Sequence, residues 1–420
     1  MIQLIRGFKD NLPGESELWQ GVEETARALF RDFGFQEIRV PIMEKTELFA
    51  RGIGEATDIV EKEMYTFTDR GGEMLTLRPE ATASVARAYI QHKLYAGDPV
   101  RRLFTIGPMF RRERPQKGRY RQFHQINCEA FGIAGPCIDA QLIFLLTRLM
   151  DRLRVADIAV HINSLGCPEC RPAYREKLLA YMAGRMDHLC DDCRRRSDVN
   201  PLRALDCKSG HCQKAMADAP EQIDFLCKAC ADHFAAVRAS IADLGVSYTV
   251  DKRLVRGLDY YSRTTFEILT GAMGGRIAVA GGGRYDGLIK LLGGPDTPGI
   301  GFAIGEERLV EICGRAAEEF SARPHLYIAA LGEDCFRQAF SWLCRLNEAG
   351  IRVETDMSGR SLKSQMKRAG RLNAPHVLIF GENERTEGRA ILRDMTTKTQ
   401  ESLPLDGLVP ELIRRMSDTG

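Results

Sequence analysis

The chain has 420 residues, 44% of them apolar and 28% charged, with a formal net charge of +2. That balance excludes a disordered chain and supplies no whole-molecule field, so any polyanion must be held by a local basic patch. No run of about 18 apolar residues occurs and the start, MIQLIRGFKDNLPGE, has no apolar core of signal-peptide length, so a cytoplasmic protein is expected, with cysteines as thiols or metal ligands.

Behind the Pro13-Gly14 breaker, Leu18, Trp19, Val22, Ala26, Leu29, Phe30 and Phe33 recur at helical spacing and predict one amphipathic helix. Short runs rich in β-formers follow at 37–41, 64–68, 74–77, 158–163, 264–269, 276–280 and 300–304, and two more flank a basic loop at 101–110 and 120–131. Turns between them are short and few helices intervene, so a mainly antiparallel sheet is expected. Helices predicted over 137–153 and 306–317 would cover one of its faces. From residue 166 to about 245 the composition shifts to cysteine, basic residues and helix formers, which predicts an insertion into the sheet domain. After Arg323-Pro324 the pattern becomes strand (326–330), helix (334–348), strand, helix (362–371) and strand (377–380), the signature of a separate α/β domain with a mixed sheet.

The densest chemical signal is FRRERPQKGRYRQFHQINCE, residues 110–129. Six basic side chains fall between Arg111 and Arg121, around a turn made by Pro115 and Gly118, with a Lys-Gly turn candidate at its tip. Apolar flanks suited to paired strands would fix those cations as a hairpin. Guanidinium forks match phosphate oxygens bidentately and keep their charge when partly buried, so a polyphosphate substrate suits the hairpin.

Taken in order, the chain carries a proline-bearing strand at Val40-Pro41, then LTLRPEAT, the arginine hairpin, LVRGLDYYSRTTFEI, AGGGRYDGL and GIGFAIGEERL. These segments, in this order, resemble the histidyl-tRNA synthetase family of class II aminoacyl-tRNA synthetases. The Val40-Pro41 segment resembles motif 1 of the class, the hairpin motif 2 and GIGFAIGEERL motif 3, while LVRGLDYY and GGGRYDGL resemble the two boxes of the histidine enzymes. The resemblance implies an α+β fold: an antiparallel-sheet class II catalytic core in two parts (1–165 and 246–323), an inserted cysteine-rich helical domain (166–245) and a C-terminal α/β anticodon-binding domain (324–420).

Joining a carboxylate to the α-phosphate of ATP brings two anions together, so the site must supply cations that stabilise the charge growing at phosphorus. The resemblance implies Arg111 and Arg256 at the α-phosphate as the catalytic pair, with ATP held by Arg111, Glu113, Arg119, Phe123 and Arg308, and Mg²⁺ accompanying it. Arg119 and Arg308 would hold the outer phosphates, Glu113 the adenine amino group and Phe123 the purine face. Gly299, Gly301 and Gly305 are expected to let backbone approach the nucleotide. Histidine would be bound by Glu80, Thr82, Arg111, Gln125, Glu129, Arg256, Tyr260, Tyr261 and Tyr285. Of these, Glu129 and Tyr261 would face the imidazole, Tyr285 would close the pocket, and Glu80, Thr82 and Gln125 would hold the α-ammonium side. A pocket that hydrogen-bonds a polar side chain rejects analogues that leave its partners unpaired. His124 is left out of the catalytic set, because strand alternation points it away from Phe123 and Gln125.

For the transfer to the 3′ end of tRNA(His), Arg114, Gln116, Lys117 and Arg121 are candidates for acceptor-end contacts. Lys363, Lys367, Arg368 and Arg371 are candidates on a C-terminal helix. A homodimer built on motif 1 is implied. The alternative within the resemblance is the non-catalytic regulatory subunit of ATP phosphoribosyltransferase, which usually lacks the full arginine set and the anticodon domain.

Eight of the thirteen cysteines lie in the insertion, as Cys167-x2-Cys170, Cys190-x2-Cys193, Cys207-x4-Cys212 and Cys227-x2-Cys230. Thiolate pairs at this spacing suit tetrahedral structural zinc, two pairs to a site, with the pairing open. Cys128, Cys137, Cys313, Cys335 and Cys344 stand alone and are expected to be small buried hydrophobes.

Overall fold

The structure, a computed structural model, describes residues 2–54, 57–115, 118–272, 275–313 and 323–417. The chain divides into two compact units, Met1–Phe320 and Ser321–Gly420. In chain order the first unit contains α1 (Ser16–Asp32), β1 (Gln36–Glu37), β2 (Met43–Lys45), α2 (Thr46–Ile53), β3 (Tyr65–Thr68), β4 (Met74–Leu77), α3 (Thr82–Gln91), β5 (Arg101–Phe110), β6 (Gln122–Phe131) and α4 (Cys137–Arg152). Next come β7 (Ile158–Ser164), α5 (Arg171–Ala183), α6 (Asp191–Val199), α7 (Gly210–Ala215), α8 (Lys228–Asp243), β8 (Tyr248–Val250), β9 (Ser262–Thr270), β10 (Ile277–Arg284), α9 (Leu288–Leu291), β11 (Gly299–Gly305) and α10 (Glu306–Cys313).

The main sheet has eight strands in the order β1-β5-β6-β11-β10-β9-β7-β8. Its inner pairings are all antiparallel, and parallel pairs occur only at the two edges, β1 with β5 and β7 with β8. Strand alternation decides which side chains face which way. Ile126, Cys128, Ala130, Phe266, Ile268, Ile300, Phe302 and Ile304 join one buried cluster with the apolar stripes of α1, α4, α8 and α10. Residues at the intervening positions face the other way, and that face carries the candidate site. α8 therefore buries Phe234, Val237 and Ile241 in the sheet's own core, although it lies within the cysteine-rich stretch. α5 and α7, with the turns around α6, enclose a smaller cluster that includes Tyr174, Leu178, Met182, Cys193 and Cys212.

One expected strand is shorter than its pattern. Residues 37–41 read as a strand, yet pairing stops at Glu37, and only the Ile38 amide goes on to donate to the Phe104 carbonyl at 2.8 Å. Pro41 has no amide to donate, and the segment is held by a side chain instead: Arg78 donates to the Val40 carbonyl (2.9 Å) and to the Pro108 carbonyl (2.8 Å). β2, β4 and β3 form a separate three-stranded sheet. The return strand of the hairpin begins at Gln122 and not at 120, and α10 is described to Cys313, so the predicted stretch to residue 317 passes outside the described residues. Among the lone cysteines, Cys128, Cys313 and Cys335 are buried as expected, but Cys137 and Cys344 are exposed, each on the solvent side of its helix.

The second unit has its own five-stranded mixed sheet, β13-β12-β14-β15-β16, made of β12 (Leu326–Ala330), β13 (Val353–Thr355), β14 (His376–Phe380), β15 (Arg389–Asp394) and β16 (Gln400–Pro404). The first three strands are parallel and the last two antiparallel. Helices Glu333–Glu348 and Leu408–Ser417 pack Trp342, Leu346 and Leu412 into a core of its own. The β15–β16 hairpin was not legible in the alternating pattern, because its strands are short and polar.

Candidate active site

The hairpin pairs in unbroken register from Arg101 with Phe131 to Phe110 with Gln122. The Arg111 amide then donates to the Arg121 carbonyl (2.9 Å), and Gly118 takes a positive φ of 69° that a side chain would strain. Gln116 and Lys117 lie outside the described residues. The regular register places Phe123, Gln125, Asn127 and Glu129 on the face opposite the helices.

At the open end of this face lies a cavity of about 190 Å³ lined by Arg111, Glu113, Gly118, Arg119, Tyr120, Phe123, Val279, Gly305, Glu307 and Arg308. Arg111 is aimed by its Nε, which donates to the Pro79 carbonyl at 2.9 Å, and its guanidinium lies 5.3 Å from the Phe123 ring centre. Arg119 donates to Glu113 at 3.0 Å, and Arg308 donates to the Ala278 carbonyl at 2.8 Å. Burial lowers the pKa of the Arg308 guanidinium, and the charge of Arg119 lowers it further. Two cations that repel each other across one cavity are arranged for an anion. Arg256 is not among the residues lining this cavity. It donates to Glu267 on β9 at 3.1 Å and rests over Gly281 of β10, where any β-carbon would overlap its guanidinium. Its Nε is buried without a hydrogen-bond partner among the described residues.

Deeper on the same face the chain builds a buried polar pocket. Glu129, 1% exposed, accepts from the Thr82 hydroxyl (2.7 Å) and from the Tyr285 hydroxyl. Burial pushes the Glu129 carboxyl up to about 8, against the lowering effect of those two hydroxyls. Tyr260, Tyr261 and Tyr285 cluster with ring centres 4.7, 5.5 and 6.4 Å apart. Gln125 Oε1 is buried and has no partner among the described residues. Glu80 is placed differently from a free carboxylate: its oxygens accept from the Thr82 (2.7 Å) and Ala83 (2.8 Å) amides and so cap the start of α3. Burial raises its pKa, and the same two amides offset part of that rise.

The glycines of GIGFAIG have a role the sequence reading assigned elsewhere. A β-carbon at Gly299 would come within 2.5 Å of the Tyr285 ring, and one at Gly301 would overlap the Glu129 carboxylate, so both make room for the polar pocket. Only Gly305 lines the arginine cavity.

Arg114 is exposed, whereas Arg121 packs against Gly7 and donates to the Arg6 carbonyl at 3.4 Å. Lys363, Lys367 and Arg371 are exposed on the helix Leu362–Arg371, and Arg368 is half-buried. His124 is turned from the site: its amide (2.8 Å) and ring (3.1 Å) meet Glu307, and its ring stands edge-on to Trp19. Tyr120 and Glu307 line the cavity and were missed; each is adjacent in sequence to a residue that was chosen, Arg119 or Arg308. Arg171 was also missed. It opens α5 and donates to the Leu165 carbonyl (3.2 Å) and to the Tyr261 carbonyl, holding the tyrosine segment from behind.

The chain matches the family described as "Histidyl-tRNA synthetase" over residues 7–309 and "Anticodon binding domain" over residues 325–415. It is 60% identical to the histidine–tRNA ligase of Desulfosudis oleivorans, over 100% of this chain and 99% of that one. With the histidine–tRNA ligase of Desulfatibacillum aliphaticivorans it shares 58% identity, over 97% of each. Its fold is similar to the crystal structure of the apo histidyl-tRNA synthetase of S. aureus, with a TM-score of 0.83 at 35% identity, covering 98% of this chain and 100% of that chain.

Proposed function

The chain belongs to the histidyl-tRNA synthetase family, and from that premise we propose how its residues carry out the reaction of a class II histidine–tRNA ligase. The enzyme activates L-histidine with ATP to histidyl-adenylate and pyrophosphate, then transfers histidine to the 3′ end of tRNA(His) with release of AMP. The observation that carries the assignment of roles is the convergence of Arg111, Arg119 and Arg308 on one cavity floored by Phe123 and Gly305.

In this reading Phe123 stacks on the adenine and Glu113 accepts from its amino group. Arg119 and Arg308 take the outer phosphates, and Arg111 neutralises the α-phosphate as the histidine carboxylate attacks it. No side chain need act as nucleophile; alignment and charge stabilisation carry the step. Arg256 approaches the same phosphorus from across the sheet when its ion pair with Glu267 yields to the more strongly charged transition state. Mg²⁺ would enter with the nucleotide and neutralise phosphate charge, and the Glu307 carboxylate lining the cavity is an oxygen donor of the kind it takes.

Glu129, Tyr261 and Tyr285 read the imidazole, and Gln125, Thr82 and Glu80 form the ammonium side. Support comes from the unpartnered Gln125 oxygen and from the buried Glu129 carboxyl, groups whose hydrogen bonding a polar ligand would complete. Arg114, Gln116, Lys117 and Arg121 are proposed for the tRNA acceptor end. The exposed Lys363, Lys367 and Arg371, with Arg368 beside them, are proposed for the anticodon arm. The division at residues 165/166, 245/246 and 323/324 is proposed on the change of element type along the chain.

A homodimer is proposed as well. Met43 and Phe67, 49% and 44% exposed, lie on one face of the small sheet and offer apolar surface suited to a second copy. A cytoplasmic location is proposed; among the described residues no helix is long and apolar enough to cross a membrane. The regulatory-subunit alternative is not favoured, because the chain is similar over its full length to histidine–tRNA ligases and carries the anticodon-binding domain. Zinc has no step in this chemistry, and a structural role for the eight inserted cysteines is proposed on separate grounds, the geometry of their sulfurs.

The test of the activity is histidine-dependent exchange of pyrophosphate into ATP, followed by charging of tRNA(His). A folded, Mg²⁺-supplied enzyme showing neither would sink the assignment.

A further inference from the structure

The four cysteine pairs left unassigned by spacing are sorted by the fold into two groups. Cys167 and Cys170 meet Cys227 and Cys230, and Cys190 and Cys193 meet Cys207 and Cys212; within each group the sulfurs all lie within 4.8 Å of one another. Pair one therefore joins pair four, and pair two joins pair three, so the second group is nested inside the loop that the first one closes. We propose that this segment holds two structural Zn²⁺ ions, each bound by four thiolates: an inner site at Cys167, Cys170, Cys227 and Cys230, and an outer site at Cys190, Cys193, Cys207 and Cys212.

The spacing of the sulfurs supports one metal ion per group. Zinc–thiolate bonds of about 2.3 Å in a tetrahedron set neighbouring sulfurs about 3.8 Å apart. The observed separations are 3.7 Å for Cys167–Cys170, 3.8 Å for Cys167–Cys227, 4.0 Å for Cys170–Cys230 and 3.9 Å for Cys190–Cys207. A disulfide needs about 2.05 Å, and all eight cysteines are free. An iron–sulfur cluster is also too large, because it spreads its thiolates over separate irons, whereas these sulfurs crowd around one point.

The backbone is arranged for sulfur that carries charge. The Cys167 amide donates to Cys170 Sγ and the Cys190 amide to Cys212 Sγ, both at 3.1 Å. Cys170, Cys190 and Cys227 stand at the N-caps of α5, α6 and α8, where the helix dipole favours a thiolate. Gly166, with φ of 64°, gives the tight turn in front of the inner site; a β-carbon there would come within 2.6 Å of Cys170 Sγ. Cys170, Cys193, Cys212 and Cys230 are buried and the others half-buried, so half of the sulfurs of each site are shielded from solvent and none is fully exposed, in keeping with a closed structural site.

The inner site has a mechanical consequence. Its two cysteine pairs lie 60 residues apart in sequence, one just after β7 and the other at the start of α8. A single ion there fastens both ends of the segment to the catalytic sheet. The outer ion then supports a core too small to be stable on apolar burial alone.

The experiment is metal analysis of the full-length protein, produced with zinc supplied and dialysed against metal-free buffer. Two zinc ions per chain are expected, both released when all accessible thiols are titrated with a mercurial, and X-ray absorption should show only sulfur neighbours. The paired variant Cys170→Ser/Cys230→Ser should keep one zinc, and Cys193→Ser/Cys212→Ser the other. Because the wild-type stoichiometry and absorption do not depend on any variant folding, they test the proposal by themselves. One zinc per chain, none, iron in its place, or nitrogen or oxygen neighbours at either site would overturn it.

Discussion

Gly301 and Glu129 stand directly across from each other on neighbouring strands, and the carboxylate occupies the space a β-carbon at 301 would need. The polar pocket therefore depends on a backbone position with no side chain. Gly301→Ala should lose at least about 100-fold in histidine-dependent exchange and about 1–3 kcal/mol of stability, the usual cost of overpacking. Gly305→Ala is the control for the stability loss alone, since a β-carbon there meets no protein atom within 4 Å although it enters the arginine cavity. Chemical denaturation of both variants checks this; equal behaviour would contradict it.

Arg256 is tied to Glu267 and stands outside the lining of the arginine cavity, so the role proposed for it is an approach made at the transition state. Arg256→Ala should lower the exchange rate by about 10²–10³, while histidine affinity changes far less. Pre-steady-state adenylate formation and equilibrium histidine binding, measured side by side, separate the two. Equal losses would assign Arg256 to ground-state binding.

Burial holds the Glu129 carboxyl protonated up to about 8, whereas its ordinary value is 4.5. A group whose folded pKa is raised contributes stability that is complete below the unfolded pKa and lost as pH rises through the folded one. Between about pH 5 and 8.5 the wild type should therefore lose, on the order of a few kcal/mol, stability that Glu129→Gln does not lose. Thermal unfolding of both proteins across that range reads the difference. Parallel curves would mean that Glu129 is already ionised in the free enzyme.

Arg171 touches no proposed substrate position, yet it fixes the Tyr261 carbonyl and the Leu165 carbonyl together. Arg171→Ala removes both bonds and should raise the KM for histidine by about 10-fold, in line with loss of the charge-assisted bond that fixes Tyr261, and leave the KM for ATP nearly unchanged. An ATP effect as large as the histidine effect would show a general loss of structure instead.

Each unit of the chain has its own core, so removal of residues 324–420 should leave adenylate formation largely intact. The KM for tRNA should rise by an order of magnitude or more. Unchanged tRNA kinetics in the shortened enzyme would refute the role proposed for the second unit.

The arginine hairpin was legible because two signals coincide in one short stretch: apolar flanks that must pair, and cations that must then lie at the pair's end. β4 and β12 were read at their observed bounds for the same local reason. The segment around Val40-Pro41 was misread as a strand because its β-forming composition does not show that pairing stops at Glu37, nor that the Arg78 side chain holds the residues beyond it. The role of Gly299 and Gly301 was hidden too. What they leave room for, Tyr285 and Glu129, is contributed by other strands or the turn beyond them.

The order of motifs and the alternation of residues along each strand are properties of the chain read locally, and they were enough to determine the family, the sheet and most of the residues that face its open side. The pairing of the cysteines, the raised pKa of Glu129 and the separation of Arg256 from the arginine cavity come from contacts between residues far apart in sequence. Those depend on which strands become neighbours and how much water they exclude, so only the folded chain could decide them.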